Sequence, residues 1–219
     1  MMQRILEPEV MDSPEEAIDY DAMDFTEVNT AFAKAALALA PTKAKILDVG
    51  TGTARIPILI CQHRPHWQIS AIDLAQSMLE VGQRNVEQAH LEKQISLELV
   101  DAKQMPYPDS YFDGVISNSL LHHLSDTLPF LYEFKRVLKP NGMILIRDLL
   151  RPSSLEILNQ MVEAIGADYN IHQTQLFRDS LHAAFTLEEI SQMLQIVGLS
   201  DVKVYQSSDR HWTIERAWH

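Results

Sequence analysis

Residues 46–54, Ile-Leu-Asp-Val-Gly-Thr-Gly-Thr-Ala, constrain this chain more than any other stretch. Ile46, Leu47 and Val49 bracket Asp48 in an apolar run, Gly50 and Gly52 follow one residue apart, and a helix-forming run begins at Arg55. The pattern predicts a buried strand, a tight turn and a helix start. Glycine at both turn positions allows positive φ and close approach of a ligand, and a helix N-terminus aimed at the same spot adds free N–H groups and positive dipole. Asp73 ends a second strand-like run. It follows the turn by about 20 residues, the separation that suits a ribose-binding acid in a βαβ unit. A nucleotide-like ligand over residues 50–52 is therefore expected. A dinucleotide fold asks for Gly-x-Gly-x-x-Gly, but the sixth position here is Arg55 and the nearest small residue is Ala54.

Strand and helix patterns alternate along the chain. Strands are predicted near 45–49, 68–73, 95–100, 112–117 and 143–148, with helices near 54–63, 76–89 and 126–138; Ser77 or Asp73 stands near the start of the second helix. An alanine-rich helix over 25–40 comes first and is stopped by Pro41. The turn Pro140-Asn141-Gly142 precedes the fifth strand. This alternation implies an α/β fold with a mainly parallel sheet and helices on both faces. Residues 149–185 break the pattern with an amphipathic helix from Leu155 and a polar, mixed stretch over 172–184; they read as an insertion. Thr186 caps a last helix that ends at Gly198, and two alternating runs, 202–205 and 211–217, predict a terminal antiparallel hairpin. The whole of 1–219 reads as one domain, with 1–40 as an N-terminal lid or helical segment and 149–185 over the acceptor side.

Charge narrows the partners. Lys plus Arg is 18 and Asp plus Glu is 30, a net charge of −12, and there is no run of Lys and Arg. Nucleic acid and anionic membrane are disfavoured, because phosphate backbones need clustered positive charge. The acids crowd the start of the chain, from Glu7 and Glu9 through Asp12, Glu15, Glu16, Asp19, Asp21, Asp24 and Glu27, and read as a solvated face. The single cysteine, Cys61, excludes an internal disulfide and a three-cysteine cluster. No apolar run reaches the ~20 residues of a membrane span, and the first residues lack a signal-peptide layout, so a cytoplasmic location is expected. No His or acid cluster shows metal-ligand spacing, so no metal is expected.

The chain resembles the class I methyltransferases that use S-adenosylmethionine (SAM), most nearly the small-molecule type similar to ubiquinone and menaquinone methylases. Five blocks carry the resemblance in order: 46–54; 71–79, with Asp73; Asp101-Ala102 with Met105-Pro106 and the turn 108–110; 112–124; and 134–146. Ala54 and Asn141 depart from the family's glycines. The resemblance implies a Rossmann-like fold whose mainly parallel, seven-stranded sheet ends in the antiparallel hairpin. It also implies SAM as cofactor and a small-molecule acceptor. Gly50, Thr51 and Gly52 would face the methionine part and Asp73 the ribose. Leu74 and Met78 would pack on adenine, Asp101 and Ala102 would hydrogen-bond it, and Asn118 and Ser119 would line the sulfonium. Tyr20, and more weakly Arg4, are lid candidates for the methionine carboxylate.

The acceptor is harder to read, since methyl transfer from a sulfonium needs mostly alignment and exclusion of water. Residues 118–121, Asn-Ser-Leu-Leu, lack the Pro-Pro-aromatic of planar-amine methylases, which argues against nucleobase nitrogen. His122 after the fourth strand, Asp148 and Arg151 after the fifth, and His211 at the start of the last strand are the catalytic candidates. The polar clusters 147–151 and 209–212 are expected to meet at the mouth of the cleft and to favour a polar, anionic or thiol acceptor. Two other readings remain open, a non-catalytic SAM-binding module and an NAD(P)-dependent oxidoreductase; the Asp101-Ala102 block and Arg55 weigh against the second.

Overall fold

Successive residues of the central strands feed two different cores, and the layered architecture follows from that alternation. The computed structural model describes residues 2–10, 12–165 and 169–219. In chain order the elements are α1 (Pro14–Asp21), α2 (Thr26–Leu39), β1 (Ala44–Val49), α3 (Arg55–Cys61), β2 (Trp67–Asp73), α4 (Gln76–Gln88), β3 (Ile95–Leu99) and β4 (Phe112–Asn118). A short 3-10 turn (Leu121–His123) follows, then α5 (Leu128–Val137), β5 (Leu138–Leu149), α6 (Leu155–Ile165), α7 (Ile171–Ala183), α8 (Leu187–Val197), β6 (Lys203–Gln206) and β7 (His211–Arg216). The strands form one seven-stranded sheet in the order β3-β2-β1-β4-β5-β7-β6. Pairing is parallel from β3 to β5, and β7 runs antiparallel to both β5 and β6.

One core holds Leu47, Val49, Val115, Ile144 and Ile146 against Phe130 and Phe134 of α5 and Ile190 and Leu194 of α8. The other holds Ile46, Ile116, Met143 and Leu145 against Phe32 of α2, Ile58 and Ile60 of α3 and Val86 of α4. These faces make the fold the mainly parallel α/β sheet with a terminal antiparallel hairpin that the sequence implies. A smaller cluster joins Leu158 and Val162 of α6 to Leu181 and Ala184, with Met2 packed against it, so the first residues lie on the 149–185 segment.

Three local expectations change. The acidic lead segment is not simply solvated, since it contains α1, closed by a capping box in which the Ser13 hydroxyl accepts from Glu16 N while Glu16 accepts from Ser13 N. The mixed stretch from 172 is part of α7, capped by the reciprocal Asn170–Gln173 pair. β5 begins at Leu138, opposite Phe112, with a register shift before Gly114 pairs with Met143. The turn expected at Pro140-Asn141-Gly142 lies within this strand, with Asn141 left-handed at φ +60°.

Ser13→Ala should cost the first turn of α1 about 1 kcal/mol, the usual loss for a serine N-cap. Amide exchange over residues 14–21 should quicken while the strands keep their protection. Unchanged exchange in α1 would show that docking alone holds this helix.

Candidate functional site

The turn after β1 is locked from two sides. Gly50 (φ +74°) and Gly52 (φ +54°) take left-handed conformations. Gly50 N and Thr51 N both donate to Ile72 O, at 2.9 and 3.0 Å. Gly52 N donates to Asp73 Oδ2 at 2.8 Å and Ala75 N to Asp73 Oδ1 at 2.9 Å. Burial pushes the Asp73 carboxyl above its ordinary value, although these backbone donors pull the other way. Asp73 thus braces the turn as well as standing at the strand end, which the sequence reading did not anticipate. Ala54, in the family's third glycine position, is itself left-handed at φ +62°. Both departures from glycine, Ala54 and Asn141, therefore keep the backbone that glycine would adopt.

α1 lies over this turn. The Tyr20 ring stands so that a Cβ built on Gly52 would meet its Cε1 at 3.7 Å, and it packs on Phe25 at 5.2 Å between centroids. Burial, then the nearby Asp73 and Asp21 carboxylates, push the Tyr20 phenol up to about 12. Asp21 is fastened to Arg55 by two bonds of 2.8 and 2.6 Å and accepts from Asn85 Nδ2 at 3.1 Å. Asp12 accepts from Ser77 N at 2.9 Å, so the start of α4 is capped from the lead segment and not by its own sequence. Tyr20, Asn29, Gly50, Thr51 and Asn118 line a cavity of about 410 Å³, a size in the range of small-ligand sites. A smaller cavity of about 250 Å³ lies at the amino ends of the strands, around Lys45, Gln68 and Gln94.

The remaining cofactor candidates surround the same strand ends. Leu74 is exposed beside Asp73, whereas Met78 is buried with Ala17, Ala75 and Val81 beneath Tyr20. Asp101 accepts from Lys103 N at 2.8 Å, and Ala102 follows it, half-buried. Asn118 Nδ2 donates to Ser119 Oγ at 3.3 Å, and Ser119, left-handed at φ +58°, donates its N–H to Arg147 O at 2.9 Å.

Beyond β4 and β5 the catalytic candidates divide between the two faces of the sheet. Clusters 147–151 and 209–212 do come together: Asp148 pairs with Trp212, Leu149 with His211, and Leu150 N donates to Arg210 O at 2.9 Å. Asp148 is buried on the α5 and α8 side. It accepts from Leu121 N at 2.6 Å, His122 N at 3.2 Å and Leu149 N at 2.6 Å, and it meets His122 Nδ1 at 2.5 Å. Burial pulls the His122 imidazole down, but Asp148 and then Glu7 outweigh it and hold the ring above its ordinary value. Arg151 is buried and committed, donating to Glu189 at 2.6 Å and to Ala184 O at 3.2 Å. Arg4 is committed too, to the carbonyls of Ala183, His122 and Leu124 at 2.6, 3.1 and 2.9 Å, and lies away from the glycine turn.

Arg147 points to the opposite, α2-side face, where its guanidinium lies 5.4 Å from the Phe32 ring centroid. Its Nε is buried without a hydrogen-bond partner. Asn118, its register partner in β4, lines the cavity. His211 sits nearby, held by Ser208 Oγ at 2.8 Å, its ring pushed down to about 4 by burial and by the Arg147 charge. Sequence reasoning named the 147–151 cluster but did not single out Arg147; strand parity with the buried Asp148 was the available signal.

Residues 47–146 match the family profile described as a methyltransferase domain. A solved SAM-dependent methyltransferase from Aquifex aeolicus superposes with a TM-score of 0.69 at 20% identity, covering 95% of this chain and all of that one. Over residues 47–146 the chain is therefore similar to a methyltransferase domain, on a fold shared with SAM-dependent methyltransferases. Phosphoethanolamine N-methyltransferase 2 of Haemonchus contortus, solved with SAM, shares the fold with this domain at a TM-score of 0.67 and 17% identity, over 88% of this chain and 52% of that one. Among curated proteins, demethylmenaquinone methyltransferase of Symbiobacterium thermophilum is 34% identical over 110 residues, 50% of this chain and 44% of that protein. The match thus spans less than half the length of that relative. No helix among the described residues is long and apolar enough to cross a membrane.

Asp48, inside β1 of the domain, is 2% exposed. Burial, partly offset by the nearby Thr51 hydroxyl, raises its carboxyl to about 7 from an ordinary 3.8. Yet no hydrogen bond closes, and Asp48 Oδ2 and Thr51 Oγ1 are both buried and unpaired. Between these two values the folded chain holds a proton that the unfolded chain has released, so stability falls as pH rises. Asp48→Asn should remove that fall. Its stability relative to the parent, read by urea unfolding, should grow from pH 4 to pH 7 and then level off. A difference independent of pH would show that Asp48 titrates normally.

Proposed function

We propose that the protein transfers the methyl group of SAM to a small acceptor bearing a negative charge. The observation that carries this reading is the Asp73 carboxylate clamped between Gly52 N and Ala75 N at a parallel-strand end, beneath Tyr20. Ligands of open α/β sheets bind at such carboxyl ends. The cavity beside Gly50 and Thr51 and the unpaired Thr51 hydroxyl fit the methionine end of the cofactor. In this assignment Gly50, Thr51, Gly52 and Tyr20 hold that end, Asp73 takes the ribose, and Leu74 and Met78 flank the adenine. Asp101 and Ala102 hydrogen-bond the adenine, and Asn118 and Ser119 stand by the reacting centre. The sulfonium supplies an already activated methyl; the chain's part is to align the acceptor in line with it and to keep water out.

For the acceptor, the partly buried Arg147 with its unpaired Nε offers a charge-assisted donor, and His211 stays neutral beside it. His122, Asp148 and Arg151 are assigned positioning roles, because His122 Nδ1, the Asp148 carboxylate and the Arg151 guanidinium are already engaged within the protein. The net charge of −12 argues against nucleic acid as acceptor. The likeness to demethylmenaquinone methyltransferase is consistent with a small acceptor.

Asp73→Asn should weaken SAM binding more than tenfold by calorimetry, because charged hydrogen bonds are each worth roughly 1.5–3 kcal/mol. It should also lower stability, since the amide nitrogen cannot accept from either backbone donor. A folded variant with parental SAM affinity, or parental protein that binds NADH and not SAM, would overturn the assignment.

Arg147→Met should leave SAM affinity near parental. With radiolabelled SAM and a metabolite extract, it should cut labelled product retained on an anion exchanger about tenfold or more. Undiminished product would remove Arg147 from the acceptor site, and labelled RNA or DNA would refute the small-acceptor reading.

A further inference from the structure

The lead segment brings Glu7 to the 3-10 turn after β4, far from it in sequence. There Glu7 Oε1 lies 3.5 Å from His122 Nε2 and 3.1 Å from His123 Nδ1, and the three atoms all fall within 4.8 Å of one another. We propose that Glu7, His122 and His123 bind one divalent transition-metal ion of the zinc type, which clasps the N-terminal segment onto the loop after β4. This site is separate from the SAM assignment and does not depend on it.

The spacing of the donor atoms suits a metal. Bonds of about 2.0–2.1 Å to imidazole nitrogen and carboxylate oxygen, set at tetrahedral angles, place ligand atoms about 3.3–3.5 Å apart. Two histidines and one carboxylate are also a common donor set for such ions. Their orientation suits it too, because outer partners hold two of the ligands. His122 Nδ1 meets Asp148 Oδ1 at 2.5 Å, which turns Nε2 toward Glu7. This is the carboxylate–histidine arrangement that fixes metal-binding rings. Asp148 cannot swing away, since three backbone N–H groups hold it. Glu7 Oε2 accepts from Ser180 Oγ at 3.1 Å, leaving Oε1 for the centre of the cluster. Burial completes the case. The Glu7 and His122 side chains are 7% and 4% exposed, and Glu7 Oε1 and His123 Nδ1 are buried with no hydrogen bond between them. Two unpaired polar atoms facing each other in a buried place are costly, and a cation bound to both removes that cost. The ion's two charges balance Glu7 and Asp148. The Arg4 guanidinium, whose charge reaches the same cluster, acts against the ion. The competing arrangement is a proton on His122 shared between Asp148 and Glu7, which leaves His123 Nδ1 unpaired.

The full chain, stripped with chelator and titrated with zinc chloride alone, should bind one ion per chain by calorimetry and elemental analysis. Binding should raise the melting temperature and slow proteolysis within residues 2–10. Glu7→Gln and His123→Gln each remove a ligand and leave the backbone donors to Asp148 in place. Each should weaken zinc binding more than about tenfold, the scale on which even outer-shell changes act, and abolish the protection. Zinc binding that survives both substitutions would place the ion on other histidines and overturn the proposal. So would a parental chain that binds none, or one whose N-terminal proteolysis is indifferent to zinc.

Discussion

The buried Asp148 carboxylate fixes the 3-10 turn after β4 to the end of β5. It accepts from the backbone of the 3-10 turn, from its own strand at Leu149, and pairs with the His122 ring. A bare carboxylate in an apolar core is prohibitively costly, and only this density of donors makes it tolerable. The hydrogen bonds and the His122 charge hold it ionised against burial, below the ordinary carboxylate range. The position of the loop after β4 follows from this, and with it the placement of His122 against Glu7. Arg4 strengthens the same junction by donating to the carbonyls of His122 and Leu124.

Strand parity then separates the two faces. Asp148 and Trp212 point into the core under α5 and α8, while Arg147 points toward Phe32 of α2. On the first face the Asp148 carboxylate and the Arg151 guanidinium are taken up by internal partners. The other presents an underused guanidinium beside a cavity that reaches the glycine turn. In the proposed reading this asymmetry keeps His211 on the acceptor side, adds Arg147, and leaves His122, Asp148 and Arg151 as positioning residues.

What could be read from the sequence was local. The strand, turn and helix around Gly50 and Gly52, the acid at Asp73 and the last helix from Thr186 to Gly198 are written in adjacent residues, and they fold as their patterns indicate. α1 and α7 were also written locally, in the Ser13–Glu16 and Asn170–Gln173 boxes. Acidic and mixed composition obscured both. The destinations of the lead-segment acids were not legible. Glu7 reaches His123, Glu9 pairs with Lys103, Asp12 caps α4 and Asp21 grips Arg55. Each depends on where a distant element ends, and no periodicity encodes that. The early start of β5 at Leu138 depends likewise on its partner Phe112.

The strand order also bears on how this protein behaves in a crowded solution. It leaves β3 and β6 as the outer strands, of five and four residues. β3 carries Glu98, and β6 carries Lys203, which pairs with Glu215. Exposed strand edges are templates on which further chains add, and short, charged edges resist it. The long, apolar strands β4 and β5, which would aggregate most readily, are enclosed between neighbours. The terminal hairpin thus supplies one short, charged margin and β3 the other, and both resist the addition of further strands.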